Sequence, residues 1–190
     1  MSRSHRTAAV LAAVLFIGPS AVSASAQDAG CETDLSKQMS FLGGSWKVES
    51  RFRISRDPDK WETTVGRSVI QDVFPGCVWK EEFSGARDGK PLKVIGLFGF
   101  SNITGNLQHT WSHSQHGILT FYEGRLLGDE VVFNSQLTVR GTVFLFRKVI
   151  KRGSGGFEVR TERSSTDGGK TWDAGWFLTY TKDPRTETTS

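Results

Sequence analysis

The 190-residue chain carries 24 Lys and Arg against 20 Asp and Glu, a formal charge of +4, yet no basic tract stands out, so nothing in it is a footprint for nucleic-acid binding. With 37% hydrophobic and 11% aromatic residues it can build one domain with a substantial core, and it is too short for two ordinary ones.

The chain opens with Arg3 and Arg6, an uncharged run from Thr7 to Ile17, then Gly18-Pro19 and Ala24-Ser25-Ala26 before Gln27. A basic segment, a short apolar segment and an A-x-A site in that order predict a signal peptide over residues 1–26, cleaved near Ala26, and hence a periplasmic or secreted protein. The apolar run is only about 11 residues, whereas a membrane-spanning helix needs about 20, so no transmembrane segment is expected. Asp28-Ala29-Gly30 ahead of Cys31 does not fit a lipid-anchor site. Removing residues 1–26 takes away two arginines and no acid, which lowers the formal charge from +4 to +2. Cys31 and Cys77 then share an oxidising compartment. A bridge between them would close a loop of about 46 residues and contribute roughly 3 to 4 kcal/mol through chain entropy. Two free thiols are the alternative.

A polar leader spans 27–37, and a helical turn is expected from Ser36 to Leu42, stopped by Gly43-Gly44. In the run that follows, Trp46, Val48, Phe52 and Ile54 share one parity, and Lys47, Glu49, Arg51 and Arg53 the other. Period two predicts a half-buried strand. The pattern recurs between turn signals such as Pro75-Gly76, Arg87-Asp88-Gly89, Thr104-Gly105-Asn106, Gly128-Asp129 and Gly141. Nine or ten strands are expected, near 45–55, 61–74, 77–84, 91–101, 106–113, 117–126, 130–138, 143–151, 156–164 and 175–182.

No stretch after Gly43 sustains a helical period. Sequential strands with short connections argue for an all-β, antiparallel up-and-down barrel of about 8–10 strands over residues 38–183, followed by a polar tail at 184–190. Such a barrel has room inside for one small ligand. Leu92–Phe100 and Val143–Phe146 are apolar at both parities, which calls for cover by the N-terminal segment or by a second copy of the chain in a homodimer.

Gly44-Ser45-Trp46 at the first strand resembles the calycin (lipocalin-like) superfamily. The longer pattern resembles one bacterial branch of it, the domain of unknown function 1579 and its relatives. It comprises the Glu81-Glu82 strand, Phe100-Ser101-Asn102 to Gly105 before Trp111, and Ser165–Trp172 followed by Trp176 and Thr181. The resemblance covers about residues 38–183 and implies a ligand-sized β-barrel of unsettled function.

Three clusters are candidates for chemistry. On a strand His109, Trp111 and His113 project from one face, with His116 beyond them at the turn before Gly117. Two imidazoles two pleat steps apart are about 13 to 14 Å apart along the strand, too far to share a metal, so no metal site is expected. A single imidazole in an apolar barrel suits a general acid or base, or a polar anchor. Solvent-facing rim histidines are the structural alternative. In Trp79-Lys80-Glu81-Glu82-Phe83, parity puts Glu81 inward beside Trp79 and Phe83, where Arg147 or Arg160 is the expected partner for its charge. An internal ion pair is the structural reading and a base facing the pocket the functional one. Ser165-x-Asp167-x-Gly169-x-Thr171-Trp172 resembles a single sialidase-type Asp-box hairpin, and one copy reads as turn chemistry with Trp172 packing the hairpin.

The leading expectation is an exported barrel that binds a small apolar or aromatic molecule. It rests on Trp46, Trp61, Trp79, Trp111, Trp176 and 13 phenylalanines, with Trp79, Glu81, Phe83, His109, Trp111 and His113 as ligand contacts. The alternative is a small lyase, isomerase or hydrolase using His109 or His113 with Glu81. A haem-binding barrel with a histidine axial ligand is the third reading. The sequence otherwise calls for no cofactor.

Overall fold

The computed structural model describes residues 33–56, 59–164 and 168–184. The signal-peptide segment, Cys31 and the C-terminal tail from residue 185 lie outside them. Ten antiparallel strands follow in chain order: β1 (Gly44–Arg56), β2 (Asp59–Phe74), β3 (Val78–Arg87), β4 (Lys90–Ser101), β5 (Asn106–His113), β6 (Thr120–Leu127), β7 (Glu130–Val139), β8 (Thr142–Gly153), β9 (Gly156–Ser164) and β10 (Asp173–Lys182). Each strand pairs with its neighbours in sequence, and β1 pairs with β10 to close the barrel, so no edge is left unpaired.

The sequence expectation places all ten strands within about three residues. The largest shifts are three residues: β3 runs to Arg87 rather than 84, and β6 starts at Thr120 rather than 117. Gly117, at φ 63°, ends a turn there in which the N–H groups of His116 and Gly117 both donate to the carbonyl of His113.

Period two explains the shell. On β1 Trp46, Val48, Ser50 and Phe52 are buried while Lys47, Glu49 and Arg51 face out. Burying each large apolar side chain contributes about 1.5–3 kcal/mol. Bulges at Arg53/Ser55, Asp72/Phe74 and Ala174/Trp176 bend the strands near the ends of the barrel.

The two ends differ. One is plugged by α1 (Asp34–Gln38) and a 3-10 turn at Ser40–Leu42, a split version of the expected helical turn. Thr33 caps α1 through a reciprocal pair of bonds with Ser36. Met39 and Leu42 are buried, and Trp46 donates its indole N–H to the Leu42 carbonyl at 2.9 Å. Trp46 stands edge-on to Phe157, which stacks on Tyr180 at 4.1 Å between centroids. Cys77, in the β2–β3 turn at this end, is disulfide-bonded.

The described part of the N-terminal segment seals that end but does not cover the outer face of β4, where Ile95 and Leu97 remain exposed. On β4 only one parity is buried in the single chain: Leu92, Val94, Gly96 and Phe98. No helix among the described residues is long and apolar enough to cross a membrane.

Candidate functional site

A cavity of about 600 Å³ runs from the middle of the barrel to the end opposite α1. Its walls include Phe83, Val94, Phe98, Trp111, Phe146, Ile150 and Leu178, and its mouth includes Arg53, Arg56, Arg87 and Arg163. That volume lies within the range of sites that enclose a small molecule.

Three buried polar groups meet in the interior. Glu81 is buried, as its parity requires, and its Oε1 accepts hydroxyl hydrogens from Ser68 on β2 and Tyr180 on β10, both at 2.8 Å. Arg147 and Arg160 do not answer it, contrary to expectation. They stand on the face opposite the inward Lys148 and Val159, and both pair with Glu162, at 2.6 and 2.9 Å. The cation that faces Glu81 is Lys148, which the sequence reading did not single out. It alternates inward with Phe146 and Ile150 on β8, so its parity was the available signal.

Lys148 Nζ lies 2.6 Å from Nε2 of His109. The other ring nitrogen of His109, Nδ1, is 3.1 Å from the Leu97 carbonyl oxygen, which can only accept, so Nδ1 carries the hydrogen and Nε2 presents its lone pair to Lys148. Burial, reinforced by the neighbouring Lys148 charge and opposed by the Leu97 bond, holds the His109 pKa well below its ordinary value, and the ring stays neutral. Burial likewise pulls the Lys148 ammonium down to about 8, against the raising effect of Glu81. The rings of Trp111 and Tyr122 lie 5.2 and 5.1 Å from Nζ and favour its charged form.

Gly96 makes this convergence feasible. A Cβ there would come within 3.3 Å of His109 Cε1 and of the Thr110 carbonyl oxygen and 3.6 Å from Glu81 Oε2, so glycine spares the imidazole a tight contact over β4. Phe98 stacks on the other side of the imidazole at 4.2 Å.

Nearer the mouth, Trp111, His113 and Trp176 form an aromatic cluster, with centroids 4.9 and 5.5 Å from Trp111. His113 and Trp176 line the cavity, and His113 Nδ1 and Trp176 Nε1 are buried with no hydrogen-bond partner. Burial and the nearby His116 and Arg87 lower the His113 pKa. Arg87 spans the rings of Phe52 and Trp176 at 5.5 and 5.9 Å.

The structure therefore brings Glu81, Phe83, Trp111 and His113 to the cavity wall and sets His109 behind Lys148. Trp79 is buried in the core but is not part of that wall. Trp61 lies outside the lumen under Arg51 and Arg53. Trp172 packs its hairpin through an N–H bond to the Gly169 carbonyl and lies under Arg147, while Ser165–Asp167 fall outside the described residues. Both nitrogens of His109 are engaged, so it offers no lone pair to a haem iron unless Lys148 moves away. Among the described residues no three His, Cys, Asp or Glu side chains are grouped to hold a metal ion.

Comparison with known families matches residues 34–172 to the family described as "Protein of unknown function (DUF1579)". Among solved structures, the chain is similar to Rv2717c from M. tuberculosis, with a TM-score of 0.51 and 12% identity over 80% of this chain and 99% of that one. At that identity the likeness shows a shared fold and nothing more. No curated protein matches the chain.

Proposed function

For a chain that belongs to this family of unknown function, DUF1579, we propose the role of an exported, calycin-type barrel that holds one small, largely apolar or aromatic molecule in its lumen. The observation that carries this reading is a cavity of about 600 Å³ whose wall includes Phe98, Trp111, His113, Phe146 and Trp176, with His113 Nδ1 and Trp176 Nε1 buried and without a hydrogen-bond partner. An unsatisfied buried polar group costs about 1–3 kcal/mol, and a small turn of either ring that brought its nitrogen to a polar atom of a bound molecule would remove that cost. Trp176 Nε1 can only donate, so a ligand that met it would present an acceptor near the mouth.

The charges at the mouth favour the same polarity. Asp173 is taken by Arg53 and Arg56, whereas Arg87 rests on aromatic rings and faces His113. Export rests on the N-terminal charge and apolar pattern.

Trp111 and Trp176 report occupancy directly. Titrating a panel of small aromatic compounds with acceptor groups should quench tryptophan fluorescence with one-to-one saturation, and Trp176→Phe should weaken binding about tenfold, the equivalent of one hydrogen bond. Quenching of equal strength by acceptor-bearing and purely hydrocarbon compounds would refute the assigned polarity.

A further inference from the structure

We propose that Lys148 is a covalent carbonyl-capturing residue: its side-chain amine forms an imine with an aldehyde or ketone bound in the lumen, with His109 moving the protons. This rests on the ligand-binding reading and names the chemical class of the ligand.

The geometry has the parts that amine nucleophiles require. Lys148 is part of the cavity wall, and His109 sits behind it, fully buried, with Nε2 2.6 Å from Nζ. The base is in turn oriented by the Leu97 carbonyl and clamped by Phe98. A nucleophile in hydrogen-bond reach of a base that a third group orients is the general arrangement for covalent catalysis. A lysine also needs a population of neutral amine near neutral pH, and an apolar surrounding supplies it. Glu81 faces Lys148 and favours its charged form, but its Oε1 accepts from Ser68 and Tyr180, and the hydrogen-bond partner of Nζ is an imidazole lone pair.

The step balances without an oxidant or reductant. The neutral amine adds to the carbonyl carbon, a C–N bond forms, and the carbonyl π pair moves to oxygen. His109 Nε2 takes the proton released from nitrogen and returns it to the oxygen. The C–O bond then breaks as the nitrogen lone pair forms C=N, and His109 Nε2 carries the second N–H proton to the departing oxygen, which leaves as water. Amine and carbonyl give imine and water, and His109 ends as it began. A protonated imine would keep its N–H directed at His109 Nε2, with Glu81 and the rings of Trp111 and Tyr122 stabilising the charge.

The test uses the full chain with 2-naphthaldehyde as probe and 2-naphthalenemethanol as the matched compound without a carbonyl. Cyanoborohydride traps any imine, and peptide mapping by mass spectrometry locates it. The expected result is near-stoichiometric modification of Lys148, with exposed lysines such as Lys93 and Lys151 modified at less than a tenth of that level. Trapping at Lys148 should rise through about pH 8, and His109→Gln, which keeps both hydrogen bonds but relays protons poorly, should slow it at least tenfold. Modification of Lys148 no greater than that of exposed lysines overturns the proposal. If both naphthyl compounds still quench tryptophan fluorescence in that case, the barrel binds its ligand and only the covalent step is lost. If neither quenches, both readings fall for ligands of this size. Because the wild-type map decides the matter, the outcome does not depend on whether Lys148→Met folds.

Discussion

Tyr180, on the last strand, donates its hydroxyl to Glu81, on the third, at 2.8 Å and 99 residues away in sequence. The bond reaches across the lumen between strands that do not pair with each other. With Ser68 on the same carboxylate oxygen, it ties β2, β3 and β10 together from within. Tyr180→Phe removes one of two donors to a buried carboxylate and should destabilise the barrel by about 1.5–3 kcal/mol. Ser68→Ala should cost a similar amount. Because the two hydroxyls share one acceptor, the double variant should not equal the sum of the singles, which urea denaturation of all four proteins would show.

The Lys148 environment predicts how stability varies in base. Its folded pKa of about 8 lies below the ordinary 10.5, so between those values the unfolded chain binds more protons than the folded one. Stability therefore rises with pH across the window, by at most about 1.4 kcal/mol per pH unit. Burial pushes Tyr122 up to about 12 and Tyr180 well above 10, which works in the opposite sense above about pH 10. Lys148→Met should accordingly flatten the rise between pH 8 and 10, as read from denaturation midpoints.

His109 gives the matching effect in acid. Its folded pKa is held well below 6.5, so the unfolded chain takes up a proton first as the pH falls, and stability declines from about pH 6.5 downward. His109→Gln should remove that part of the decline. His113→Gln should remove a smaller part, since the lowering of its pKa is less complete.

Ligand binding separates the histidines differently. With His109, Trp111 and His113 on one strand face, the sequence predicts that a ligand in the lumen meets at least one imidazole and that its binding varies between about pH 5 and 8. With His109 held neutral behind Lys148, that dependence falls to His113, which lines the cavity and whose buried Nδ1 has no hydrogen-bond partner. Affinity measured against pH should flatten in His113→Gln and keep its shape in His109→Gln. His116, at the turn and edge-on to His113 at 4.9 Å, should matter only through its charge.

Much of this molecule can be read from its sequence, and the rest has a physical reason for being hidden. Alternation such as Trp46-Val48-Ser50-Phe52, broken by glycine turns, marks most of the strands, because they have one face in the lumen and one in water, while β4 and β8 are marked by apolar runs between turns. The same parity turned Glu81, His109 and His113 inward. The Glu81 partners were illegible, since contact across a lumen depends on barrel geometry and not on strand pairing, and neither Ser68 nor Tyr180 is distinctive in its own strand. The inward place of Lys148 is harder to read, because only Phe146 and Ile150 give its parity while the neighbouring Val143–Phe146 is apolar on both faces.

Gly96 offers a local test of the polar cluster. A methyl group there meets His109 at 3.3 Å, so Gly96→Ala should cost about 1–3 kcal/mol by overpacking and displace the imidazole from Lys148. Loss of stability with unchanged pH dependence in base would show that the pair survives the substitution.

Native mass spectrometry of the wild-type protein beside Thr161→Trp asks whether one molecule occupies the lumen. Thr161 is on the cavity wall, and an indole there would fill the space a ligand needs. The account predicts one ligand per wild-type chain, either retained from the host or added as an acceptor-bearing aromatic compound, and none on a folded Thr161→Trp variant. Equal occupancy of the two proteins would place the ligand outside the barrel and contradict it.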